Sequence, residues 1–207
     1  MNLRYRTRVG GYTTALVVLG LLLGLSGCAS SPPTQFIELD AQAPKAANIA
    51  HSVGIAPITM GRVTLPASLD RLALVRRTGA NRLDVSQVVE WGGPLDSLVR
   101  QTLGSDLAAR LPRQAYMPSD QIPPGAQQGF HFLDVTCQRF SAGADNRVTL
   151  VAHWSLVDGK TRRTMIAKSA TIHVQAATAS GADIAAAMSR ALALLSDQVV
   201  SSLARKQ

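Results

Sequence analysis

The stretch that decides the fold is residues 133–174, LDVTCQRFSAGADNRVTLVAHWSLVDGKTRRTMIAKSATIHV. Leu133, Val135 and Cys137 alternate with polar neighbours, and Val148, Leu150, Ala152, Trp154 and Leu156 alternate again. A period of two is the spacing of a strand with one buried face. A turn over 141–146 would set Leu133 opposite Trp154, Val135 opposite Ala152 and Cys137 opposite Leu150, so that all six share that face. Asp158-Gly159 supplies the next hairpin turn, and Met165 to Val174 is the returning strand.

Downstream, Ser180-Gly181-Ala182-Asp183 is a capping-box arrangement with aspartate in the reciprocal position. Ile184, Met188, Ala191, Leu192, Leu195, Val199 and Leu203 then recur at helical spacing, and Arg205 and Lys206 sit where cations suit the helix dipole. Upstream, Gly93-Pro94 opens another helix, with Leu95, Leu98, Val99, Thr102, Leu103, Leu107 and Leu111 as its apolar stripe and Pro112 as its stop. Residues 113–129 carry three prolines and two glycines and form a long connection, with a short strand near Tyr116.

Leu72 to Val75 and Leu83 to Val89 flank Arg77-Thr78-Gly79-Ala80-Asn81-Arg82, which reads as a hairpin. Val53 to Ile58 reads as a strand with Pro57 at its end or on an edge, Phe36 to Leu39 as a first short strand, and residues 41–50 as a loop. The order strands, helix, strands, helix predicts one α+β domain over residues 36–207. Its sheet is mostly antiparallel or mixed, and the two amphipathic helices pack on one face.

The N-terminus is an address rather than part of that domain. Arg4, Arg6 and Arg8 precede an uncharged run from Val9 to Cys28 with an apolar heart at Ala15 to Leu25, which is a basic n-region followed by an h-region of secretory length. The run closes on Leu25-Ser26-Gly27-Cys28, which resembles a bacterial lipobox. That resemblance implies cleavage between Gly27 and Cys28, removal of residues 1–27 as a signal peptide, and lipidation of Cys28. Residues 28–35, with Ser30-Ser31-Pro32-Pro33, would then be the lipidated cysteine and its flexible tether. Two acyl chains already anchor a protein stably. Ala29 stands where an aspartate would signal retention at the inner membrane, so the implied destination is the outer membrane, with the domain in the periplasm.

Composition changes meaning once the leader is set aside. The 207 residues carry a formal charge of +8 and 46% hydrophobic residues, which taken alone invite nucleic-acid and membrane readings. Without its three arginines the charge falls to +5, and the h-region accounts for much of the hydropathy. The aromatic fraction of 4% is too sparse for base-stacking platforms, so no nucleic-acid partner is expected. Cys137 is left without a cysteine partner and reads as a small buried hydrophobe.

No phosphate-cradling glycine loop, dinucleotide fingerprint or nucleophile elbow occurs. His131, His153 and His173 lie on successive strands, but the hairpin registers put His131 near Leu156 and His153 near Thr164, so they do not converge. No catalytic residue, metal ligand set or cofactor is expected. The arginines of the first hairpin, Arg71, Arg76, Arg77 and Arg82, are basic hairpin residues that discourage edge pairing. Among them Arg76, Arg77 and Arg82 are candidate contacts for a partner or for anionic headgroups. Arg162, Arg163 and Lys168 form a similar group around the last hairpin.

Leu65-Pro66-Ala67-Ser68-Leu69-Asp70-Arg71, then Val75, then Glu90-Trp91-Gly92-Gly93-Pro94-Leu95 opening a helix, resembles the PqiC-like family. These are auxiliary lipoproteins of ABC-type transport systems that work with MCE proteins. The resemblance implies a non-catalytic, outer-membrane-anchored component of an intermembrane lipid-transport system that contributes to envelope integrity. Its partner would be the MCE-domain protein of an inner-membrane transporter, and a homo-oligomer suits docking to a tube-like partner. Leu65, Pro66, Leu69, Asp70, Arg71, Trp91, Pro94 and Leu95 carry the motif in structural or docking roles: Leu69 reaches the core, Asp70 and Arg71 pair or cap locally, and Trp91 staples strand to helix. The alternative is a small periplasmic lipid-binding carrier, which needs an apolar pocket larger than a packed core leaves.

Overall fold

The computed structural model describes residues 32–44 and 56–204. The leader, Cys28, the first three residues of the tether, the first half of the Val53–Ile58 stretch, and Arg205 and Lys206 lie outside the described residues. From Thr34 onward the chain forms one compact unit, and among the described residues no helix is long and apolar enough to cross a membrane.

The alternating segments make a meander of β5 (His131–Gly143), β6 (Arg147–Asp158) and β7 (Thr164–Gln175). Leu133 pairs with Leu156, Val135 with Trp154 and Cys137 with Ala152, two residues away from the expected register. A slip of two preserves every side chain's face, so the buried set is unchanged. The register then shifts between Cys137 and Arg139. This bulge places Phe140 opposite Leu150 and shortens the turn, whereas an unbulged pair puts it over 141–146.

Two segments share the other edge of β5. β2 (Ile58–Thr64) runs parallel to its first half, and β3 (Ala73–Gly79) parallel to its end at Ala142 and Gly143. β3 returns antiparallel as β4 (Arg82–Trp91), the expected hairpin, and β1 (Gln35–Ile37) lies parallel on β4. The result is a mixed seven-stranded sheet.

The β2 position corrects the sequence reading. Ala56 and Pro57 are not strand, and Ile58 begins the element instead of ending it. Pro57 has no N–H for a ladder, and its carbonyl accepts the His131 N–H at 2.9 Å. The true strand was hidden because a register shift between Met60 and Val63 breaks its alternation, making Ile58, Met60 and Val63 the core residues. The first strand also starts one residue early, drawing Gln35 out of the expected tether to pair with Val89.

α1 (Leu95–Arg110) and α2 (Gly181–Ala204) pack on each other and on one sheet face, α1 against β2 and α2 chiefly against β6 and β7. The predicted stripes are the buried ones: Val99, Leu103 and Leu107 on α1, and Ile184, Leu192 and Leu195 on α2, are at most 1% exposed. At the start of α2 the Asp183 N–H donates to Ser180 Oγ at 3.1 Å. The Asp183 carboxylate accepts the Thr178 and Ser180 hydroxyls, which hold its pKa below the usual carboxylate value. Thr178 Oγ1, rather than the aspartate, takes the Ser180 N–H.

Candidate functional site

The chain leaves β2 through Leu65 and Pro66, whose φ of −57° and ψ of 141° keep the backbone extended. It then tightens into a 3-10 turn over Ala67–Leu69, closed by the Leu69 N–H to Pro66 carbonyl bond at 2.9 Å and the Asp70 N–H to Ala67 carbonyl bond at 3.1 Å. That turn drops Leu69 into the core and leaves Asp70, Arg71 and Leu72 outside. Opposite stands the beginning of α1. Trp91, 2% exposed, ends β4 with its N–H on the Leu72 carbonyl at 2.7 Å, and the next N–H, of Gly92, reaches the Ile37 carbonyl. Pro94 caps the helix in an extended conformation and Leu95 turns inward.

Between the two walls runs a groove of about 750 Å³, lined by Val63, Thr64, Leu65, Ala67, Leu69, Asp70, Arg71, Leu72, Gly93, Pro94, Leu95 and Asp96. Most of the motif residues therefore meet at one place, with Pro66 in the wall's turn and Trp91 buried in the same core cluster as Leu95. Leu72, 46% exposed, adds apolar surface to the groove. Asp70 and Arg71 do not form the expected local pair: no ion pair joins them among the described residues, and the capping there is by backbone alone. The arrangement is chemically suited to receiving an apolar segment between charged rims, and it brings no nucleophile and base together.

The hairpin arginines are divided. Arg76 is half-buried and donates to the Gly143 carbonyl at 3.1 Å and to Asn146 Oδ1 at 2.6 Å, so it holds the β5–β6 turn. Arg77 donates to the Ala80 carbonyl at 2.8 Å, while Arg82 is exposed at the tip. The histidines have other neighbours than the registers predicted. His131 pairs with Asp158, its Nδ1 lying 3.7 Å from Asp158 Oδ2; His153 Nδ1 contacts Ser169 Oγ at 2.7 Å, and His173 Nδ1 contacts Thr149 Oγ1 at 3.2 Å. Among the described residues no group of three His, Cys, Asp or Glu side chains could hold a metal ion. Cys137 is buried, and desolvation pushes its thiol up to about 12.

The sequence reading missed a buried ionic clasp. Arg110 Nη1 reaches Asp106 Oδ1 at 3.1 Å, Arg110 Nε reaches Asp197 Oδ1 at 2.6 Å, and the Gln42 N–H donates to Asp106 Oδ1 at 2.8 Å. Burial outweighs these partners and raises the Asp106 pKa to about 6. The signal was present: residues 99, 103, 106 and 110 follow the helical spacing of the apolar stripe, so both charges lie in its phase.

A family model described as "ABC-type transport auxiliary lipoprotein component" matches residues 38–200. The fold is similar to that of a Xanthomonas campestris protein of family DUF330, with a TM-score of 0.63 and 13% identity over 80% of this chain and 92% of that one. It is also similar to an uncharacterised protein of known crystal structure, with a TM-score of 0.59 and 20% identity over 84% of this chain and 99% of that one. No curated protein matches the chain.

Proposed function

Because the chain belongs to the family of ABC-type transport auxiliary lipoprotein components, we propose that it is a non-catalytic outer-membrane lipoprotein whose periplasmic domain docks an MCE-domain protein of an inner-membrane lipid transporter. The observation that carries this reading is the convergence of Leu65, Leu69, Asp70, Arg71, Pro94 and Leu95 on one open, largely apolar groove. Lipid on Cys28 holds the domain at the membrane, and the chain, which has no nucleotide-binding motif, relies on another subunit for energy.

In-cell crosslinking from a photoreactive residue at position 67, on the exposed wall of the groove, tests the reading. The expected captive is an MCE-domain protein, and Leu72→Asp abolishes its capture. Because Leu72 is exposed, that substitution shifts stability by no more than about 0.5 kcal/mol. Capture of only β-barrel assembly or lipopolysaccharide-export machinery overturns the assignment. Cys28→Ala abolishes palmitate labelling and releases the chain from outer-membrane fractions; continued co-fractionation in cells lacking the partner would contradict the anchor.

A further inference from the structure

The sheet face turned away from the helices carries a second, polar cavity of about 470 Å³, between the β2 bulge and the β6–β7 turn. Its charged lining is Arg62, Arg162 and Asp134, and its hydroxyl lining is Thr64, Thr136 and Ser155. Asp134 is already engaged: its Oδ1 accepts the backbone N–H of Arg62 at 2.7 Å. The Arg62 guanidinium makes no hydrogen bond or ion pair among the described residues. The Arg162 guanidinium lies over the Phe132 ring at 5.9 Å from its centroid. A ring face orients a guanidinium without consuming its N–H donors. Two cationic forks and three hydroxyls thus face one cavity whose single carboxylate is held by a backbone donor.

Planar guanidinium forks match the oxygens of a phosphate, and charge-assisted bonds of that kind are the strong ones. Thr64 also borders the apolar groove described above, so an anion in the cavity has apolar surface beside it. We propose that this cavity binds the phosphate of a glycerophospholipid headgroup. A free phosphate would use the arginines and leave the neighbouring apolar wall idle, whereas an amphiphile uses both. The site gives the domain a lipid contact of its own, beyond docking, and Arg62 and Arg162 do not line the docking groove, so separate variants read lipid binding and capture and either reading can fail without the other.

The full chain, held in an alkyl maltoside that contains no phosphate, is titrated by calorimetry with three probes: dihexanoylphosphatidylglycerol, inorganic phosphate and dihexanoylglycerol. Binding of the phospholipid at least about tenfold tighter than either of the others is expected: over dihexanoylglycerol because each charge-assisted pair carries roughly a tenfold or greater effect, and over inorganic phosphate because about two buried methylenes supply a similar factor. Arg62→Ala combined with Arg162→Asn removes that binding and leaves the melting temperature unchanged. Asparagine is chosen because residue 162 has a φ of 58°, which asparagine tolerates. Arg113→Ala, an exposed arginine outside the cavity, leaves binding intact. Phospholipid affinity that survives the double substitution, equal affinity for inorganic phosphate, or no binding to the folded chain overturns the proposal.

Discussion

A methyl group on residue 61 would stand 2.0 Å from Asp134 Oδ1 and 3.2 Å from the Leu133 carbonyl oxygen. Glycine is therefore what lets the Asp134 carboxylate reach into the β2 bulge and take the Arg62 N–H. Gly61→Ala is expected to expel that carboxylate and to cost about 1.5–3 kcal/mol, the worth of a hydrogen bond to a charged group. In an Asp134→Ala background the same substitution costs less than about 0.5 kcal/mol, and a double-mutant cycle by urea denaturation reads the difference. Cys137 obeys a simpler rule. With its thiol pushed up to about 12 by burial, only about one molecule in ten thousand carries a thiolate at pH 8. Iodoacetamide should leave it untouched in the native protein and modify it promptly in guanidinium; equal rates would contradict the burial. Cys137 was legible because strand parity alone decides which way it points. Gly61 was not, since its role depends on a carboxylate 73 positions later in the chain.

Among the elements, α1 shows how far periodicity reaches. Its stripe, its start beside Pro94 and its stop before Pro112 follow from spacing and from proline chemistry. Asp106 and Arg110, however, look like an ordinary exposed pair one turn apart, and only the packed structure shows them 0% and 1% exposed. There they fasten the segment after β1 across the helices: the Gln42 N–H and carbonyl bond Asp106 and Arg110, the Thr102 hydroxyl donates to the Leu39 carbonyl, and the Asp40 N–H donates to Ser189 Oγ. Asp106 titrates near pH 6 in the native state and near 3.8 when unfolded. The native state thus takes up this proton first as pH falls, so the stability it contributes grows as pH drops through about 6 toward 4 and is lost as pH rises above that window. Asp106→Asn, which stays neutral, is expected to be more stable than the parent at pH 7, by on the order of 2 kcal/mol, and to match it near pH 4. Guanidinium midpoints across that range check the sign; a gap that widens on acidification would refute it. Asp106→Ala, by contrast, strips the Gln42 N–H and Arg110 of a partner and is destabilising, by roughly 3 kcal/mol.

For the whole molecule, the class of fold followed from the order of elements, whereas the order of strands did not. β2 and β3 share one edge of β5 across more than sixty residues of intervening chain, and no local pattern in either segment encodes a parallel partner so distant. The same non-locality governs where the domain starts. The family match begins at residue 38, yet β1 precedes it, with Ile37 and Leu39 each only 8% exposed in the shared core and the Gln42 clasp just beyond. Each large aliphatic side chain removed from a core costs about 2–5 kcal/mol, and a domain has only about 5–15 kcal/mol to lose. A chain beginning at Thr34 is accordingly expected to melt cooperatively, while one beginning at residue 43 loses β1, both core residues and the clasp and fails to show a cooperative transition. Far-UV circular dichroism melts of the two chains decide it. If they unfold within a few degrees of each other, β1 belongs to the tether and the domain starts at β2.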